Sequence, residues 1–177
     1  MEAKKLLLSS LANNDYVNGF NQYNNDMIDF LTLSEHQQIC HHLYQYCNEL
    51  IIQLNLDDDE IIDSNISNYE LILKQLKVVV QIVTMYSDLP QYRFIELLNT
   101  VQLLHDILIP LNNDLQGAIS LKTAIARVCE HWWKKNENGA ENLITQLIPF
   151  LLLSSLGPDA IEAVSYTHLT LPTKRIV

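Results

Sequence analysis

Apolar residues recur along this chain at spacings of three and four, and that period is what most limits its fold. Ile39, Leu43, Cys47, Leu50 and Leu54 follow one another at intervals of four, four, three and four, which places them on one face of an α-helix. Ile72, Leu76, Val79 and Val83 repeat the pattern between Tyr69 and Tyr86, with Leu71, Leu73, Val78, Val80 and Ile82 adding apolar residues on the remaining sides. A helix so apolar all round is expected to be covered by neighbours on more than one side. Phe94, Leu97, Leu98, Val101, Leu104 and Leu108 form a further stripe that ends near Pro110, whose ring has no N–H to extend a helix. Leu121, Ile125, Val128, Cys129 and Trp132 form the next. Leu143, Ile144, Leu147, Ile148, Leu151 and Leu152 make a double-width stripe, in which Pro149 should bend the helix.

Breaks in the period mark the turns. Leu33-Ser34-Glu35-His36-Gln37 reads as a capping box, with Ser34 accepting from the Gln37 amide and Gln37 reaching back. The acidic and Asn/Ser run from Leu56 to Asn65 reads as a solvated loop. Ser87, Asp88 and Pro90, then Asn112 to Asp114, then Asn136 to Gly139, and finally Gly157-Pro158-Asp159 separate the later segments. Six or seven helices joined by short turns predict an all-α fold of antiparallel helix pairs. No strict repeat is visible, so a closed bundle and a stack both satisfy the period. The wide stripe of the last full helix has no obvious partner after it, which favours the start of a HEAT-like α-solenoid, where each pair buries its face against the next.

The last residues do not share this pattern. Val164 to Thr173 reads VSYTHLTLPT, which matches over its whole length one reading frame of a transposon-type sequencing adapter. That frame requires the preceding codon to end in CT, a condition Ala163 meets. The chain therefore divides into a helical region, residues 1–163, and an adapter-derived tail, residues 164–177. Without Lys174 and Arg175 the 11 Lys and Arg fall to 9 against 21 Asp and Glu, a formal charge of −12. Affinity for nucleic acid comes mainly from Lys and Arg neutralising phosphates, so no direct nucleic-acid contact is expected of this segment. An anionic membrane surface is disfavoured for the same reason. The longest apolar stretch, Leu143 to Leu156, is 14 residues and too short to span a bilayer. With no signal-peptide pattern at the start, the chain reads as soluble and intracellular, and Cys40, Cys47 and Cys129 as reduced thiols. Cys40 and Cys47 stand about 10 Å apart along one helix and cannot pair.

Few residues suggest chemistry. His42, His105-Asp106 and Asp114 stand in the order used by HD-type metal phosphohydrolases, which need mixed imidazole and carboxylate ligands. Asp106 follows a buried stripe where a solvated Asp is expected in any case. His36, Cys40 and Cys47 could be imagined around zinc, but no second close-spaced pair completes a tetrahedron. Asp57-Asp58-Asp59-Glu60 lacks the alternating ligands and central Gly of a calcium loop. No phosphate loop, nucleophile elbow or paired CxxC occurs, and Gly is found only at positions 19, 117, 139 and 157. No catalytic residue, cofactor or metal site is assigned. Trp132 and Trp133 point about 100° apart, so one ring can enter the core while the other meets a neighbouring helix or a partner.

Arg127 to Lys135, RVCEHWWKK, followed by a polar break and the apolar run NLITQLIPFLLLSSL, resembles the N-terminal region of the G-type HEAT-repeat subunits of condensin II. Leu33 to Gln37 resembles that family's capped LSxxQ helix start, and Tyr92 to Pro110 its helix between the two landmarks. The likeness spans most of Phe20 to Leu156. The loop from Leu56 to Asn65 looks shorter than the family's, and Asn stands at many of its charged positions. The resemblance implies a non-catalytic scaffold. It implies as partners a kleisin subunit and the coiled-coil ATPase subunits of condensin II, and a nuclear, chromosome-associated location in mitotic chromosome condensation. A free-standing acidic helical adaptor and the HD-type phosphohydrolase are the alternatives from other classes.

Overall fold

The computed structural model describes residues 2–57 and 66–135. The loop expected from Leu56 to Asn65 starts later than that, because Leu56 and Asp57 still belong to the helix Leu33–Asp57, and its remainder at 58–65 lies outside the described residues. The expectations for the stop at Asn136 to Gly139, for the stripe at Leu143 to Leu152 with its Pro149 bend, for the Gly157-Pro158-Asp159 stop and for the tail at 164–177 also lie outside them. Among the described residues the fold is all-helical. Its helices are α1 (Glu2–Ala12), α2 (Tyr16–Asn21), α3 (Leu33–Asp57), α4 (Ile66–Ser87), α5 (Ile95–Ile107) and α6 (Ala118–Lys135), with short 3₁₀ turns at Asn25–Phe30 and Pro90–Tyr92. Among the described residues no helix is long and apolar enough to cross a membrane.

The stripes of the sequence are the core of the structure. Ile39, Leu43, Cys47, Leu50 and Leu54 are all buried, as are Ile72, Leu76, Val79 and Val83. Leu73, Val80 and Ile82 are buried too, so α4 is covered on more than one side, although Leu71 stays exposed. On α5 and α6 the buried sets are Leu97, Val101, Leu104 and Leu108, and Leu121, Ile125, Val128, Cys129 and Trp132.

The capping box, however, lies two residues earlier than the sequence suggests. Thr32 Oγ1 accepts from the Glu35 amide at 3.3 Å, and the Glu35 carboxylate accepts from the Thr32 amide at 2.8 Å. Thr32/Glu35 wins over Ser34/Gln37 because the box also gains a cation. Lys4 Nζ lies 2.8 Å from the Glu35 carboxylate and donates to the Phe30 carbonyl, so the helix start is tied to α1.

The helices pair by rule. His36 at the start of α3 meets Tyr86 at the end of α4, and Tyr46 donates to Gln75 in mid-helix at 2.9 Å, so α3 and α4 are antiparallel. α4 and α6 run in the same direction, because Lys77 approaches Gly117 at the start of α6 while Asp88 bonds His131 near its end. Tyr92, just before α5, packs on His36, which sets the start of α5 beside the start of α3. The result is two layers: α3 lies on α5 and α4 lies on α6, with α3/α4 and α5/α6 as successive pairs. α1 and α2 close one end, packing on each other and on α3 and α4. Asn14, at φ 58°, turns the chain between them in the left-handed conformation Asn tolerates, and Asp15 caps α2.

Candidate functional site

Among the described residues His36 is a fully buried polar side chain, and it sits where three segments meet. Its Nε2 lies 3.1 Å from the Ile28 carbonyl, which can only accept, so Nε2 carries the proton. Nδ1 must then accept from the Tyr86 hydroxyl at 2.7 Å, and that hydroxyl in turn accepts from Tyr23 at 2.7 Å. Tyr92 packs against the imidazole at a tilt of 39°, with 4.2 Å between ring centroids. Burial, partly offset by the Ile28 bond and the nearby Glu35, pushes the His36 pKa down, so the ring is neutral. Burial pushes the hydroxyls of Tyr23 and Tyr86 and the thiol of Cys40 up. No member of this chain of bonds is activated. It fixes the turn at Asn25–Phe30 to the α3/α4 pair.

The metal-ligand candidates do not assemble. His42 lies on α3 against Tyr16, His105 and Asp106 on α5, and Asp114 in the turn before α6, where its amide bonds Asn112. Asp106 is exposed and accepts from Gln102. His36 spends both nitrogens on Tyr86 and Ile28, and Cys47 is enclosed in the core with its thiol pushed up to about 12 by burial. Among the described residues no group of three His, Cys, Asp or Glu side chains could hold a metal ion. The acidic loop lies mostly outside the described residues.

The Cys-x-x-Trp-Trp element splits as helix geometry requires. Cys129 is fully buried, with its thiol 3.8 Å from the Val101 carbonyl of α5, and Trp132 joins the core. Trp133 is half-buried and packs at its edge. Among the described residues neither indole N–H finds an acceptor.

On the outer side of the α4/α6 layer runs a groove of about 510 Å³. Val80, Thr84 and Met85 line it from α4, and Ala124 and Val128 from α6. At one end His131 Nε2 lies 2.9 Å from the Asp88 carboxylate. With an apolar floor and charges at the rim, it has the makings of a surface for a polypeptide segment and no convergent set of catalytic groups. Sequence reasoning missed both this groove and the His36–Tyr86–Tyr23 chain, because Tyr23 and Tyr86 lie 63 positions apart and no local spacing links them. Comparison with protein-family models, curated proteins and solved structures finds no match to this chain.

Proposed function

We propose that the chain is a non-catalytic scaffold, the N-terminal part of a condensin II regulatory subunit of the G type. In this role it works in the nucleus on mitotic chromosomes and holds a kleisin subunit together with the coiled-coil ATPase subunits. One observation carries the scaffold part of this reading: α3/α4 and α5/α6 stack as successive pairs, each helix lying on the one two places later. Cys129 and Trp132 of the Cys-x-x-Trp-Trp element are packed into the second pair, so they act as packing anchors. The name of the complex rests on the motif resemblance alone.

Co-expression of the full chain with the kleisin and the two ATPase subunits tests it. The chain is expected to co-elute with the kleisin in size-exclusion chromatography and to mark condensed chromosomes when tagged in dividing cells. Elution apart from the kleisin at micromolar concentration, with diffuse staining in mitosis, sinks the reading and leaves the free-standing adaptor.

A further inference from the structure

Residues 22–31, which include the 3₁₀ turn Asn25–Phe30, cross the end of the α3/α4 pair as a short strap. Asn24, Asn25, Asp26, Asp29 and Phe30 are exposed along it, while the buried side chains of Tyr23, Met27 and Leu31 anchor it. Its polar ties are Tyr23 to the Tyr86 hydroxyl, the Ile28 carbonyl to Nε2 of His36, and the Phe30 carbonyl to Lys4. A cavity of about 170 Å³, lined by Ala3, Lys4, Met27 and Phe30 among others, lies between the strap and α1. Two of the ties end on the bonded His36–Tyr86 pair, so the strap closes one side of the imidazole. Tyr92 closes another, but it is wedged against Tyr86 and Phe94 as well.

We propose that residues 22–31 are an acid-released strap: they seal His36 from water, and protonation of its Nδ1 drives them off the α3/α4 pair. With Nε2 committed to Ile28, an added proton can go only to Nδ1, which then faces the Tyr86 oxygen as a donor. The Tyr86 hydrogen has to turn to the Tyr23 oxygen or to the Cys40 thiol. The first choice strands the Tyr23 hydrogen, for which no other acceptor is found among the described residues, and the second exchanges a good acceptor for a weak one. Either way a charge is left where water cannot reach it, and lifting the strap hydrates it. The Ile28 bond and the Glu35 charge favour the charged ring, but burial is the larger cause and opposes it. The other ionisable groups on the packed elements are Lys4 on α1, which pairs Glu35, Tyr23, Asp26 and Asp29 on the strap, Cys40 on α3, Tyr86 on α4, Tyr92 and Arg93 before α5, and Glu96 on α5. The inference does not depend on which complex the chain serves.

Residue-resolved amide exchange of the full chain, corrected for the intrinsic pH dependence of exchange, tests it. At pH 7.5 the amides of Tyr23 and Met27, bonded to Phe20 and Asn24, are expected to be less protected than those of α6, because the strap opens on its own. Between pH 7.5 and 5 their protection should fall by at least about fivefold, with about thirtyfold the ceiling for one proton taken up at an ordinary pKa of 6.5. His36→Gln keeps a donor for Ile28 and an acceptor for Tyr86 without a titrating group, and should reduce that fall to under about twofold. His42→Gln removes the neighbouring histidine that burial also shifts, and should leave the fall unchanged. Strap amides as protected as those of α6 at both pH values overturn the proposal, as does a fall that persists in His36→Gln or vanishes in His42→Gln. An acid response in residues 90–94 and not in the strap overturns it too. Should His36→Gln not fold, the imidazole nitrogen shifts of the unmutated chain decide. Nδ1 still unprotonated at pH 6 supports the strap, whereas a ring half-charged at or above pH 6.5 removes its driving force.

Discussion

The Tyr86 hydroxyl donates to Nδ1 of His36 across 2.7 Å, and this contact fixes the tautomer and charge of the imidazole. Nε2 must hold the proton for the Ile28 carbonyl, Nδ1 is left as an acceptor, and the Tyr86 oxygen is free to receive the Tyr23 hydroxyl. Every polar atom of this core chain is therefore satisfied, which is the condition for burying such groups without a large penalty.

Tyr86→Phe keeps the ring and removes the link. It strands Nδ1 of His36 and the Tyr23 hydroxyl in the core, at a cost of about 1–3 kcal/mol for a buried polar group left unpaired. Urea unfolding at neutral pH is expected to show that loss. Tyr92→Phe, which keeps the ring packed against His36, should change stability by less than about 0.5 kcal/mol.

Acid should act through the same residue. Burial holds the folded His36 below its ordinary pKa of 6.5, so its contribution is intact above pH 6.5 and erodes as the unfolded chain takes up a proton that the fold refuses. His42 shifts the same way, from burial and then from His41. The slope is at most about 1.4 kcal/mol per pH unit for each such proton. Glu35 is held below the usual carboxylate range mainly by its bond from Lys4, so its contribution is lost only below pH 4.5. Stability measured from pH 7.5 to 5 should fall, and His36→Gln should start lower but fall less. An unchanged slope in that variant would assign the acid sensitivity elsewhere.

The helices were legible in the sequence because burial repeats at their period. Ile39 to Leu54 or Leu121 to Trp132 can be read as core with no knowledge of what covers them. The cap of α3 was misread because both Thr32-x-x-Glu35 and Ser34-x-x-Gln37 fit the box. The deciding partner, Lys4, sits 31 positions upstream of Glu35. The His36 bonds and the α4/α6 groove depend on how helices dock, and a local period carries no information about that. The spacing of His36 and Cys40 suits a zinc ligand pair, yet the partners of His36 are Ile28 and Tyr86.

The thiols offer a check on packing. All three cysteines are buried, and burial pushes Cys47 and Cys129 up to about 12. The thiolate is the reactive form, so the native chain at pH 8 is expected to react with a disulfide reagent at least a hundredfold more slowly than the chain in guanidinium. Rapid reaction of any one of them would mean that its helix is open.

Gly117 and Gly19 test different constraints. Gly117 sits at φ 79°, where a Cβ is strained whatever the space around it, so Gly117→Ala should cost about 1 kcal/mol. At Gly19 a Cβ would come 3.0 Å from Cδ2 of Leu11, which is itself buried. Overpacking costs of about 1–3 kcal/mol there should outweigh the small helix-propensity gain of Ala in α2. Thermal melts are expected to place both variants below the unmutated chain.

The adjacent tryptophans should respond in opposite ways. Trp132 is 3% exposed within the core, so Trp132→Ala opens a cavity beside Cys129 and Val128 and is expected to cost about 3–5 kcal/mol. Trp133 stands at the edge of the core, and among the described residues its buried N–H has no acceptor. Trp133→Phe removes that stranded donor while keeping an aromatic ring, so the lost area and the relieved penalty oppose each other, and the net change should stay within about 1 kcal/mol. Guanidinium unfolding of the two variants side by side is the measurement. Comparable losses from both would mean that Trp133 has an acceptor after all and belongs with Trp132 in the core.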